Sequence, residues 1–236
     1  ACLPSPAVAG NGAGLELHLE FENNVFDSST NGFDGQAFGN LQYAPGVIGQ
    51  AASFDGTDDQ VLFPSFADAL LGQNDFTVAF WFNIPQDLGY SVLGKRQICA
   101  RDPFIDIRTG HTSPNVSLEV STAAQNYFPG ATPKPSGWHH VAFTRSGASY
   151  QSFFDGKLLR VATTGVSLDL SNTATLGLSN SPCIDADGTR MLMGQIDDLR
   201  IYSRAVSAPE VAALAGLLFA DTLETGDTST WCLAVP

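Results

Sequence analysis

The run "GQIDDLRIY" (194–202) sets two carboxylates side by side, Asp197 and Asp198, inside a stretch that alternates like a β-strand. Successive side chains on a strand point to opposite faces. Asp197 is therefore expected to share a face with Leu199 and Ile201, and Asp198 to lie with Arg200 and Tyr202 on a solvated one. A carboxylate left unpaired on an apolar face costs several kcal/mol. Its available partners are an arginine, backbone N–H groups at a strand end, or a bound cation.

The other acids favour turn chemistry. Of 24 acidic residues only Glu16, Glu20, Glu22, Glu119, Glu210 and Glu224 are Glu; the remaining 18 are Asp, mostly beside Gly, Asn, Ser or Thr. Asp forms turns by bonding to its own backbone, and the same loops are where oxygen-rich calcium sites are built. "PCIDADGTR" (182–190) carries Asp185, Asp187 and Gly188 but fails as an EF-hand, because the twelfth position from Asp185 is Ile196. It reads as a solvated turn. His139 and His140 in "WHHVAF" alternate faces and have no nucleophile or metal partner in sequence, so they read as strand residues rather than catalysts. Glycoside hydrolysis needs two carboxylates flanking the scissile bond. No E-x-D-x-x-E run sets such acids on one strand, and the rival set Glu16, Glu20 and Glu22 shows no sign of an acid with a raised pKa. The chain is expected not to be an enzyme.

Those residues are positioned by short strands. "LELHLEFE" (15–22), "NDFTVAFWFNI" (74–84), "VSLEVST" (116–122), "GWHHVAFTR" (137–145), "SYQSFFDGKLLRVAT" (149–163) and "TATLGLS" (173–179) each alternate with period two between Gly, Pro, Asn or Asp. The Asp-Gly pair in "FFDGKLL" is a strong hairpin signal. Only "SAPEVAALAG" (207–216) reads as helix, with Ser207 as N-cap, Pro209 and Glu210 in the first turn and Gly216 at the stop. F-D-G recurs at 33–35, 54–56 and 154–156 with irregular spacing, which is repeated turn chemistry rather than a solenoid. The fold class is all-β, a two-sheet antiparallel sandwich with one short C-terminal helix. Residues 1–14 read as a tail, 15–215 as the folded domain and 216–236 as a separate apolar and Thr-rich segment.

Composition bounds the partners. The charged fraction is 15 %, the hydrophobic fraction 44 % and the net charge −13, which fits a core-forming chain and disfavours nucleic acid or an anionic membrane surface. No apolar run reaches the ~18–20 residues of a membrane-spanning helix. Four cysteines without C-x-x-C spacing suit disulfides in an exported protein rather than zinc. The opening "ACLPSPAVAG", without Met, reads as a processed secretory chain. The expected location is therefore secreted, extracellular or cell-surface.

Four stretches in order resemble the laminin-G-like, concanavalin-like jelly-roll domains of secreted bacterial proteins: "LHLEFENNVFDSSTNGFDGQ" (17–36), "GQAASFDGTDDQVLFP" (49–64), "SGWHHVAFTRSGASYQSFFDGKLL" (136–159) and "GQIDDLRIYSRAVSAPEVAAL" (194–214). Phe154 stands where Tyr or Val is usual and Val206 where Leu is. The resemblance implies a jelly roll whose Asp197 strand lies beside the opening loop, with a structural Ca²⁺ between them. Such an ion takes about 6–8 oxygens. Asp27 and Asp197 are the leading expected ligands, with Asn31, Asp34 and Asp55 as further candidates. It also favours the pairings Cys99–Cys183, from loops inside the domain, and Cys2–Cys232, from tails that a jelly roll brings together, although four cysteines allow three pairings. The tail "LETGDTSTW" resembles a short motif near the C-termini of some secreted bacterial proteins.

The expected function is a non-catalytic recognition module for a glycan or a surface protein. Sugar rings stack on exposed aromatics, and the candidates are Trp81, Tyr90, Tyr127, Phe128 and Tyr150. Asn115-Val-Ser117 is a glycosylation sequon. The alternative function is a structural subunit of a surface layer or filament, built from copies of the chain joined through terminal segments such as "GLLFADTL".

Overall fold

The computed structural model describes residues 12–66, 71–85, 89–110 and 115–216. In chain order these form β1 (Leu15–Leu19), β2 (Gln36–Phe38), β3 (Gln42–Pro45), β4 (Gln50–Asp55), β5 (Gln60–Phe63), β6 (Phe76–Asn83), β7 (Ser91–Lys95) and β8 (Phe104–Thr109). There follow β9 (Asn115–Ser121), β10 (Asn126–Pro133), β11 (His139–Ser146), β12 (Ser149–Phe154), β13 (Lys157–Thr163), β14 (Leu176–Leu178), β15 (Met193–Tyr202) and one helix, α1 (Ala208–Leu214). Two antiparallel sheets face each other. One runs β13-β12-β11-β6-β15-β4-β3, with β1 also paired to β15, and the other runs β10-β9-β8-β7-β14-β5-β2. Among the described residues this is the two-sheet antiparallel sandwich with one short helix that the strand and cap signals predict, and the jelly roll that the resemblance implies.

The inner faces are built by that alternation. Phe76, Val78, Phe80 and Phe82 of β6 meet Ile105 and Ile107 of β8 and Leu118 and Val120 of β9 in one continuous core. Each such side chain contributes about 1.5–3 kcal/mol through burial. A second, smaller cluster lies on the opposite face of the larger sheet, where α1 sets Val211 and Leu214 against Ala142, Phe153 and Tyr202. The helix opens on Ser207, whose backbone N–H donates to Glu210 Oε2 at 2.7 Å.

The Asp-Gly hairpin forms as expected between β12 and β13. Asp155 and Gly156 take φ of 45° and 74°, the doubly positive pattern of a type I′ turn. Asp155 also accepts the His140 backbone N–H, at 3.0 Å. β1 ends at Leu19, earlier than its alternation predicts, because Phe21 and Asn23 turn the chain with φ of 55° and 59°.

Two features hold the loops, the first of them not announced by the sequence. Arg145 is fully buried. Its Nη1 donates to Gly72 O at 2.9 Å, its Nε to Gly147 O at 3.1 Å, and its Nη2 to Ser167 Oγ and Leu168 O. The second is a disulfide between Cys99 and Cys183, as the preferred pairing has it, tying the loop after β7 to the loop after β14. Cys2 and Cys232 lie outside the described residues.

Candidate functional site

The backbone answers how Asp197 survives where it stands. β15 carries a bulge: Asp197 faces Trp81 of β6 and Arg200 faces Ala79, three residues along β15 against two along β6, so one extra residue is inserted. Asp198 absorbs it with φ of 49°, the local kink and phase change a bulge produces. The alternation is thereby reset. Asp197 does not share the face of Leu199 and Ile201, which are core residues. It lies opposite Trp81, itself opposite His140, on the outer face of the larger sheet.

Asp197 is nonetheless fully buried, because the turn between β3 and β4 folds over it. Its Oδ2 accepts the backbone N–H groups of Val47 (2.8 Å) and Ile48 (3.0 Å). Gly46 is required here: a Cβ at that position would lie 2.5 Å from Asp197 Oδ2. Glu22 holds the far end of the same turn by accepting the Gln50 N–H at 3.2 Å. Gly49 has φ of 60°, and a side chain there would collide with the Glu22 carboxylate. Burial raises the Asp197 carboxyl above its usual range against the pull of the two N–H groups. Its Oδ1 makes no hydrogen bond to the described residues.

Asp198 is also buried, at 5 % exposure, rather than on the solvated face its spacing predicts. His18 Nε2 lies 2.7 Å and Arg200 Nη2 2.9 Å from its Oδ1. Burial pushes this carboxyl up, but the His18 hydrogen bond and the Arg200 charge outweigh it and hold it below the usual range. Tyr202 is covered by α1. His18, Glu20, Glu22, Ile48, Asp197, Asp198 and Arg200 line a cleft of about 190 Å³. Its lining includes two exposed glutamates and a buried carboxylate with an unpartnered oxygen, which makes it the candidate site among the described residues.

The remaining calcium candidates lie elsewhere. Asp27 organises its own loop: Oδ1 accepts N–H groups from His18 and Ser29, and Oδ2 accepts from Ser29 Oγ and Phe33 N, all at 2.8–2.9 Å. Asp34 accepts the Asp27 N–H, and Asn31 donates to Leu15 O and Glu16 O. Asp55 groups with Asp58 and Asp59 in the β4–β5 turn, their oxygens within 4.8 Å of one another. Among the described residues no group of three carboxylate, imidazole or thiol donors at that spacing contains Asp27 or Asp197.

The aromatic candidates divide by burial. Tyr90 and Tyr150 are core residues at 1 % and 0 % exposure and offer no ring for stacking. Trp81 is half-buried and packs edge-on against His140. Tyr127 is half-buried against the core, whereas Phe128 is 52 % exposed. Phe26 and Phe38, which the alternation does not single out, are exposed too.

One carboxylate pair escapes the sequence reading. Asp106 of β8 faces Glu119 of β9 on the outer side of the smaller sheet, between core residues of each strand. Arg96 lies 3.3 Å from Asp106 and 3.7 Å from Glu119, and Arg108 lies 2.8 Å from Glu119. Arg96 also donates to Ile98 O and stacks on Phe104, its guanidinium carbon 3.9 Å from the ring centroid. Both acids are buried, at 0 % and 1 %. Two facing carboxylates are the residue types glycoside hydrolysis uses, but here arginines engage both, and Arg96 also ties them to Ile98 O in the loop pinned by Cys99–Cys183.

Two buried titrating groups give stability a testable pH signature. Burial raises Asp106 from 3.8 to about 6, against the Arg96 charge. Its contribution is therefore largest at low pH and falls as pH rises through about 6. Burial lowers His140 from 6.5 to about 4, so its contribution is present above 6.5 and lost as pH falls through about 4. The slopes oppose each other. Denaturant unfolding between pH 4 and 7 should show Asp106→Asn losing stability on acidification more steeply than the parent, and His140→Phe less steeply. Parallel profiles for all three proteins would refute these assignments.

The comparisons agree with the geometry. The profile of the concanavalin A-like lectin/glucanases superfamily matches residues 55–212. The chain belongs to this superfamily. Among solved structures, this concanavalin A-like domain is similar to domain 4 of AbnA, an extracellular arabinanase of Geobacillus stearothermophilus, in complex with arabinotriose. The TM-score is 0.70 and the identity 24 %, over 86 % of this chain and 99 % of that one. It is also similar to the binding domain of Paraclostridial Mosquitocidal Protein 1 (TM-score 0.70, 15 % identity, 88 % of this chain and 53 % of that one). A third similar structure is the binding domain of botulinum neurotoxin DC in complex with rat synaptotagmin II (TM-score 0.65, 13 % identity, 88 % and 52 %). The chain spans about half the length of these last two. At such identities the likeness shows the shared sandwich. Comparison with curated proteins finds no match.

Proposed function

We propose that this chain is an exported, non-catalytic recognition module that binds a glycan or a surface protein. The observation that carries the reading is the fate of its cross-strand carboxylate pair: Asp106 and Glu119 are buried, engaged by arginines and, through Arg96, tied to a disulfide-bonded loop, which favours a structural over a catalytic role. Support comes from the similar domains, one solved with arabinotriose and another with synaptotagmin II. The Cys99–Cys183 bond suits an oxidising compartment. Incubation with soluble polysaccharides should release no reducing ends, and measurable release would overturn the non-catalytic reading.

A structural Ca²⁺ belongs to the same proposal, at Asp197 rather than Asp27. Asp27 already accepts four hydrogen bonds, whereas the buried Oδ1 of Asp197 accepts none from the described residues, and Asp197 lines the same cleft as Glu20 and Glu22. A hard divalent cation supplies positive charge to such oxygens. Calcium should raise the melting temperature, EDTA should reverse the gain, and Asp197→Asn should abolish it while Asp27→Asn keeps it. A melting temperature indifferent to calcium and EDTA would remove the ion from the account.

A further inference from the structure

The outer face of the larger sheet carries a row of polar side chains that the core clusters do not use. Register places Asn83 of β6 opposite Gln195 of β15, Gln195 opposite Ser53 of β4, and Ser53 opposite Gln42 of β3. Directly opposed residues share a face of the sheet, and the neighbours along each strand decide which face it is. Phe82, Ile84, Ile196, Ala52 and Phe54 belong to the core, and Leu41 and Tyr43 pack against it. The row is therefore turned outward. Asn83, Gln195 and Ser53 are half-buried and Gln42 is exposed. Three steps between strands, each about 4.8 Å, give the row a span of about 14 Å.

The chemistry of the row is uniform. Asn83 Nδ2 donates to Gln195 Oε1 at 3.0 Å, and Gln42 Nε2 donates to Asn40 O at 2.7 Å. These bonds orient the amides and leave their remaining N–H and C=O groups free of the described residues. An amide both donates and accepts, as does the Ser53 hydroxyl, and sugar hydroxyls do the same. Trp81, two residues before Asn83 on the same face, adds a half-buried indole. Met193, two residues before Gln195, is 39 % exposed. Both offer apolar surface on which a sugar ring can pack. The row itself holds no charged residue, and the net charge of −13 opposes a polyanion.

We infer that this row, with Trp81, is the binding surface for a neutral glycan, on the outer face of the larger sheet rather than at the Asp106–Glu119 pair of the smaller one. The inference rests on the recognition reading and names its ligand class and its surface. The test is electrophoresis of the full chain through native gels containing arabinan, xylan, galactomannan or β-glucan, or the acidic polymers polygalacturonate and alginate, with melting temperatures measured alongside. The parent should be retarded by a neutral polymer and by neither acidic one. Trp81→Ala and Gln195→Ala should each weaken that retention about tenfold while Gln195→Ala keeps the parent's melting temperature. Gln195→Arg, which sets a charge in the row at an outward position, should also weaken retention and serves if Trp81→Ala fails to fold. Retention undiminished in the folded variants, or retention by acidic polymers alone, would overturn the inference and leave recognition standing. Loss of retention in Phe128→Ala alone would do the same, because Phe128 lies on β10 of the smaller sheet. Migration of the parent unchanged in every gel would overturn glycan recognition itself, and this inference with it.

Discussion

Arg145→Met should be among the most damaging single substitutions in the sandwich, lowering stability by about 3–5 kcal/mol and the melting temperature by about 10 °C. The guanidinium is fully buried and makes no salt bridge among the described residues; it donates to the carbonyls of Gly72, Gly147 and Leu168 and to the Ser167 hydroxyl. Met would fill much of the volume but leave those acceptors without donors, and each buried unsatisfied group costs about 1–3 kcal/mol. Arg145→Lys should recover only part of the loss, since an ammonium is a compact donor and cannot span the fork. Thermal unfolding of the three proteins decides the matter. A melting temperature for Arg145→Met within a degree or two of the parent would mean that these loops are held by packing alone.

Breaking the Cys99–Cys183 bond should have an effect of similar size. The bond closes a loop of sequence separation 84, for which chain entropy gives about 4–5 kcal/mol and experience about 2–4. Its local consequence is sharper. Arg96, which bridges Asp106 and Glu119, also holds Ile98 O in the pinned loop. Freeing the loop should let water reach three buried charges at once. Cys99→Ser with Cys183→Ser should lower the melting temperature by about 5–10 °C and accelerate amide exchange in β8 and β9 before the rest of the smaller sheet. Unchanged melting after verified removal of the bond would contradict this account of the charge network.

Much of the fold was legible because its strands alternate without interruption. Phe76 to Phe82 declare one face and "FFDGKLL" its turn, and both stand as read. The candidate site was legible only in part, for a physical reason. Asp197 was conspicuous by its spacing, but a bulge shifts alternation by one residue, and no single residue type marks it. The backbone at Asp198 therefore moved Asp197 to the outer face and buried Asp198 against His18 and Arg200. The glycines of "PGVIGQ" gave a local clue, since Gly46 and Gly49 are where two carboxylates approach the backbone closely. Asp106, Glu119 and Arg145 were illegible as buried groups. Alternation assigns a charged residue to an outer face or a strand end, and only the loops of the finished fold decide whether that position is wet.

The same limit governs the aromatic residues. Tyr90 and Tyr150 sit in turn-rich sequence yet are enclosed by the core, while Phe26 and Phe38 flank short elements and stay exposed. Exposure of a ring depends on which loop folds over it, a long-range property that local composition does not carry.

Retention by glycans tests the central claim most directly. Electrophoresis of residues 1–236 through native gels containing a panel of soluble neutral and acidic polysaccharides, run in calcium and in EDTA, should show retardation in at least one polysaccharide. Titration calorimetry against a soluble fragment of that polymer should then saturate. Migration unchanged across the whole panel would contradict glycan recognition, and release of reducing ends from any member of it would contradict the non-catalytic reading.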